Sequence, residues 1–326
     1  MARLFDLEEI FLDADAASVR LPRRQTGSPQ GLGTTLITDY TLSARAWLPS
    51  AAIVDLLGEF GVSSGAARTT ISRLARRGVL EGRREGRHSA YRLTDAAAAH
   101  LYTGGREIAA FGRGGDSWDG RWTLVAFSMP QAKSTQRRAM RDHLRWRGYA
   151  PLYDGVWVSP RGLTTRERAV LAELAFGAMS VFRARHLELE TGAARNPVDA
   201  WDVAGIAEQY SVFIRRWSRR LPRVAAGTIS GTAAVRLRTE VMDTYRRFPV
   251  LDPLLPVELL PRGWPRARAR EVFAAVYDGL AEPAQDHVRA LVSRVGGGTA
   301  PQIRAHTVAD MGAGEGREET PRRGRG

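Results

Sequence analysis

Between Gly61 and Arg92 the chain concentrates the side chain best suited to holding a polyphosphate. Arg68, Arg73, Arg76, Arg77, Arg83, Arg84, Arg87 and Arg92 stand there against two acids, Glu81 and Glu85, so this short window carries +6 of the formal +13 of the 326-residue chain. A guanidinium is a planar, permanently charged fork of donors that fits a phosphate, or the outer edge of guanine, through two parallel hydrogen bonds. Cations laid along a duplex gain further by releasing condensed counterions. Hydroxyls at Ser64, Thr69 and Ser72 interleave with the arginines and add groups able to meet base edges. The arrangement predicts a reader of double-stranded DNA. In it Ser64, Arg68, Thr69 and Ser72 are nearest the bases, Arg73 and Arg76 belong to the same surface, and Arg83, Arg84, Arg87 and His88 lie along the backbone or in the minor groove.

Other chemistries find little support. Cysteine is absent, which excludes disulfides, thiolate nucleophiles, cysteine zinc sites and iron–sulfur clusters together. His88, His100, His143, His186, His287 and His306 are widely separated, and none pairs with another at metal-ligand spacing. Gly112 to Gly115 lacks the lysine and the strand-to-helix setting of a phosphate loop, and Gly31-Leu32-Gly33 is too little for a dinucleotide site. No catalytic residue, metal or cofactor is therefore expected. The acidic N-terminus has no secretory apolar core and no stretch approaches membrane-spanning length, so a soluble cytoplasmic protein without a membrane partner is expected.

The arginines need a scaffold that faces them outward. Ala67, Ile71 and Leu74 recur at i, i+4 and i+7, predicting a helix from about Ser64 to Arg77 with an apolar back, a cap at Ser63-Ser64 and a stop at Gly78. A preceding helix, capped by Ser50 and packed through Ile53, Leu56, Leu57 and Phe60, completes a helix-turn-helix. Val79 to Arg84 and His88 to Leu93, around Glu85-Gly86-Arg87, predict a β-hairpin, which makes the winged form of the motif.

The fold class expected is α+β in three parts. A mobile arm (residues 1–30) precedes the winged domain (31–112), which ends at the break Gly112-Arg113-Gly114-Gly115. Residues 118–190 read β-α-β-β-α-β, a ferredoxin-like unit, with a hairpin signal at Asp154-Gly155 and capping-box spacing at Thr164 and Glu167. Residues 195–295 read as helical, with Pro222 as a stop, a Pro-rich crossing from Phe248 to Pro265, and a short helix near Val288 to Val295. Residues 296–326 are Gly-, Arg- and Glu-rich, the composition of a disordered tail.

Several of these pieces together resemble the PaaX family of transcriptional repressors: the Gly61 to Leu80 segment, Trp118-Asp119-Gly120-Arg121-Trp122, Arg147-Gly148-Tyr149, Asp154 to Pro160, and Phe248 to Pro256 with Leu259-Leu260-Pro261 and Trp264-Pro265. The resemblance implies a homodimeric repressor of an aromatic-acid catabolic operon, released from its operator by an aryl-CoA thioester such as phenylacetyl-CoA. No residue set is assigned to that effector. The middle part also resembles the ferredoxin-like nuclease subunit of CRISPR adaptation, which makes a metal-dependent nuclease the alternative. That activity needs a carboxylate at the end of the first strand, where this chain has Phe127-Ser128-Met129-Pro130.

Overall fold

The computed structural model describes residues 28–86, 88–114, 117–128, 134–174, 178–188, 195–296 and 299–313. The expected arm (to residue 27), Arg87 and residues 314–326 lie outside them. In chain order the elements are α1 (Pro29–Thr41), β1 (Leu48–Pro49), α2 (Ser50–Gly58), α3 (Ser64–Arg76), β2 (Leu80–Glu85), β3 (His88–Leu93), α4 (Asp95–Ala110), β4 (Trp122–Ser128), α5 (Ser134–Trp146), β5 (Ala150–Tyr153), β6 (Val156–Ser159), α6 (Thr165–Leu174), β7 (Ala178–Ala184), α7 (Val203–Ser218), α8 (Leu221–Ala225), α9 (Gly231–Tyr245), α10 (Phe248–Leu251), α11 (Arg266–Gly279), α12 (Ala281–Gly296) and α13 (Val308–Ala313). They form two compact units. One comprises residues 112–212 and 249–267; the other takes the described residues up to 111 with 213–248 and those from 268 onward.

The second unit is built around α1. Its residues Gly31 to Ile37 and Asp39 to Thr41 are all buried, the expected state of a helix with almost no charged side chain on any face. Ser28 caps it by accepting from the Gly31 amide at 3.1 Å. Gly33 faces α3 and α2, within ordinary contact of Thr70, Leu74 and Leu57. The three-stranded antiparallel sheet has the order β1-β3-β2. Helices α9, α11 and α12 complete the core through Val235, Val241, Val272, Phe273, Val276, Val288 and Leu291. Tyr245 stacks face to face on Phe273 at 4.0 Å and its hydroxyl donates to the Phe111 carbonyl.

The same unit binds residues that composition assigned to a tail. Ile303, Ala305, Val308 and Met311 are buried, and the backbone amides of Arg304 and His306 donate to the carbonyls of Tyr40 and Asp39. Four apolar side chains spaced through 299–313 anchor this segment, although glycine, arginine and glutamate dominate what surrounds it. Beneath them Arg238 is fully buried, lies 3.5 Å over the Tyr277 ring and donates to the carbonyls of Tyr277 and His306. The Tyr277 hydroxyl donates to Asp39 at 3.0 Å.

The first unit carries a four-stranded antiparallel sheet, order β5-β6-β4-β7, with α5 and α6 on one face. Alternation along β4 sorts its side chains. Val125 joins Met140, Leu144, Tyr149, Trp157 and Leu171 under the helices, and Trp122 joins Leu152 and Val158 on the other face. This is the expected βαββαβ unit. Thr164 and Glu167 form the capping box, each accepting from the other's amide at 3.2 and 2.8 Å. The patterned Pro-rich crossing closes around Asp252, a buried carboxylate that accepts from Arg266 twice at 2.7 Å, from the Tyr210 hydroxyl at 2.7 Å and from the Leu254 amide at 2.8 Å.

Local differences from the sequence reading have plain causes. Ser50 does not cap α2; Pro49 occupies the cap position, with no side-chain bond, while pairing with Ala90 in β1. Pro222 opens α8 rather than ending a helix, since a proline in a first turn forfeits no intrahelical bond. Pro283 likewise sits in the first turn of α12, which is 16 residues long where a short helix was expected.

Candidate nucleic-acid interface

Helix α3 is held by both its ends. The Ser63 hydroxyl accepts from the Ala66 amide at 3.3 Å, so Ser63 caps it and Ser64 is its first residue. At the other end Gly78 takes φ +70°. Its amide donates to the Ala75 carbonyl and the Val79 amide to that of Leu74, which satisfies the last carbonyls and turns the chain directly into β2. Thr94 secures that corner, its hydroxyl donating to the Gly78 carbonyl at 2.7 Å.

The buried face of α3 is Ala67, Thr70, Ile71 and Leu74. Geometry then leaves Ser64, Arg68, Thr69, Ser72, Arg73 and Arg76 exposed. Among the described residues Arg68, Arg73 and Arg76 have no ion-pair partner. The Thr69 hydroxyl donates back to the Gly65 carbonyl at 3.0 Å, leaving its lone pairs outward. Three guanidinium groups and three hydroxyls thus share the solvent side of one helix.

The hairpin pairs Glu85 with His88, so its first strand runs one residue beyond the expected end at Arg84. Arg83, Arg84 and His88 are exposed; the structural place of Arg87 lies outside the described residues. Arg84 donates to the Gly86 carbonyl at 3.2 Å. Arg83 lies 4.6 Å over the Trp47 ring, as does Arg92. Trp47 precedes β1 and had no part in the sequence reading. No local pattern in the sequence pairs it with arginines 36 and 45 residues further on. Arg45 was missed as well: it reaches the Leu93 carbonyl at 3.0 Å, Glu81 at 2.9 Å and Asp95. Glu81 also accepts from Arg92 at 2.6 Å. The wing's described acid is therefore neutralised from within, and its outward charge is positive.

Asp142 pairs with Arg145 at 3.4 Å and Asp154 with Arg141 at 3.4 Å, on the surface of the first unit. Among the described residues no three His, Asp or Glu side chains are grouped to hold a metal ion, and no helix is long and apolar enough to cross a membrane. Met129 and Pro130 lie outside the described residues.

Comparison with known proteins covers most of the chain. Residues 28–97 match the family model of PaaX-like proteins, 115–195 that of the PaaX protein central Cas2-like domain, and 201–290 that of the PaaX-like protein C-terminal domain. The transcriptional repressor PaaX of Escherichia coli (strain K12) is 30% identical over 263 residues, 77% of this chain and 81% of that one. A solved structure of an uncharacterized protein from Mycobacterium tuberculosis is 21% identical, with a TM-score of 0.49, across 83% of this chain and 98% of its own. On three successive family models and that shared identity, the chain belongs to the PaaX family.

Proposed function

We propose that this protein is a DNA-binding transcriptional repressor, not an enzyme, acting in the cytoplasm. Its winged helix-turn-helix enters the major groove with α3. The observation that carries this reading is the solvent face of α3, where Arg68, Arg73 and Arg76 stand beside Ser64, Thr69 and Ser72. A helix whose back is tied into a core and whose front carries partnerless guanidinium groups has the chemistry of a groove reader. The name of the Escherichia coli relative, a transcriptional repressor, supports the same reading. The protein binds its operator as a homodimer, matching the twofold symmetry common to such sites. It regulates an aromatic-acid catabolic operon, and an aryl-CoA thioester such as phenylacetyl-CoA releases it by binding the DNA-competent state less well than another state.

Titration of the DNA upstream of its own operon, followed by gel shift with and without aryl-CoA thioesters, tests each part. A shift at low salt that phenylacetyl-CoA reverses supports the whole reading. No shift at any salt removes the DNA reader, and a shift indifferent to every thioester removes the effector. Cleavage of the duplex on adding Mg²⁺ or Mn²⁺ would instead favour the nuclease alternative.

A further inference from the structure

A second set of arginines lies outside α3 and the wing, where α7 ends. Arg215, Arg216, Arg219, Arg220 and Arg223 fall within nine residues, no acid stands between them, and all five are exposed. Cations in the last turn of a helix have an ordinary use against its negative end, and Arg216 is further taken up by Glu240 at 2.8 Å. That account does not extend to the elbow beyond α7. Among the described residues Arg219, Arg220 and Arg223 have no side-chain partner. Three unpaired cations within five residues repel one another, a cost that a polyanion would relieve.

The elbow is firmly placed. Val224 is buried, and the amide and hydroxyl of Thr228 donate to the Arg223 carbonyl at 3.1 and 3.2 Å. It leads straight into α9, where the Thr232 hydroxyl lies 3.5 Å from His287 Nε2. That nitrogen is 2.6 Å from Glu59, which caps the end of α2, four residues before the Ser63 cap of α3. Two side-chain contacts therefore join the start of α9 to the turn that opens the groove-reading helix. Elbow and α3 belong to the same compact unit.

We propose that Arg219, Arg220 and Arg223 form a second phosphate-binding surface, which holds duplex backbone flanking the stretch that α3 reads. This rests on the DNA-binding reading above. Leu221 and Pro222 separate the arginines where α3 has hydroxyls, so the surface adds affinity and footprint without reading sequence.

The test is a salt titration of fluorescence anisotropy with the full chain, on an operator duplex extended at both ends and on one trimmed to the core site. On the extended duplex the triple variant R219Q/R220Q/R223Q is expected to lower the slope of log affinity against log salt by about 2 to 3, and to lose on the order of 10²-fold affinity near 0.1 M salt, equally for operator and scrambled sequence. On the trimmed duplex it should match the wild type. The R219K/R220K/R223K variant, which keeps the charge, should retain the slope and so separates phosphate contact from a folding defect. An unchanged slope on the extended duplex, in a preparation where R83Q/R84Q does flatten it, overturns the proposal. Failure of the wild type to bind any duplex removes the DNA reading and this surface with it.

Discussion

At the scale of single residues, the two groups of arginine should fail differently. Replacing Arg68 by alanine is expected to cost about 1–3 kcal/mol of operator binding and to relax preference at one base pair, because a bidentate contact to a base edge is lost. Replacing Arg83, Arg84 and Arg87 together by glutamine should weaken all sequences alike and flatten the salt dependence; competition against single-base operator variants separates the two behaviours. A second expectation concerns His306, whose burial, with the Arg238 charge beside it, pushes its pKa down to about 3. The unfolded chain takes up a proton at this residue below about pH 6.5, whereas the folded chain does not until far lower. Stability therefore falls as pH drops from 6.5 toward 3, by up to about 1.4 kcal/mol per pH unit for this one group. Urea unfolding between pH 7 and 5 should show the slope, and H306N should reduce it. His100 and His143, also lowered by burial, add slope of the same sign, while Glu107, raised by burial to about 6, opposes it.

At the scale of elements, α3 depends on the corner that ends it. Gly78 takes a left-handed conformation that a side chain strains, so G78A is expected to destabilise the protein by about 1 kcal/mol or more. Thermal unfolding of G78A beside A75G, which places a glycine in the helix interior, would show whether the corner outweighs ordinary propensity. This corner was legible in advance: the apolar spacing of Ala67, Ile71 and Leu74 and the glycine after Arg77 are local signals. So was the capping box at Thr164 and Glu167. The roles of Pro49, Pro222 and Pro283 were not, because proline stops a helix or starts one according to which side of it the neighbouring residues pack.

At the scale of the whole molecule, the winged elements share a core with the C-terminal helices and with residues 299–313. A chain ending at residue 298 is expected to lose several kcal/mol, since the burial of Ile303, Val308 and Met311 contributes about 1.5–3 kcal/mol each. It also leaves Asp39 and Arg238 without the contacts this segment makes. Differential scanning calorimetry of the truncated chain should show a lowered midpoint; an unchanged one would mean the segment is a passive cover.

The amino-acid sequence by itself determined what repeats within a turn or two: where α3 begins and ends, which of its sides is apolar, the hairpin, the β-α-β-β-α-β order and the concentration of positive charge. It also held the family's distinctive pieces. Tertiary structure alone decided that α1 is buried all round, that the segment after Gly298 belongs to the core, and that Trp47 lies beside Arg83 and Arg92. Each of these depends on side chains tens to hundreds of residues apart meeting in space, as Tyr277 meets Asp39. Periodicity reports the face a helix must hide, but not the partner that will cover it.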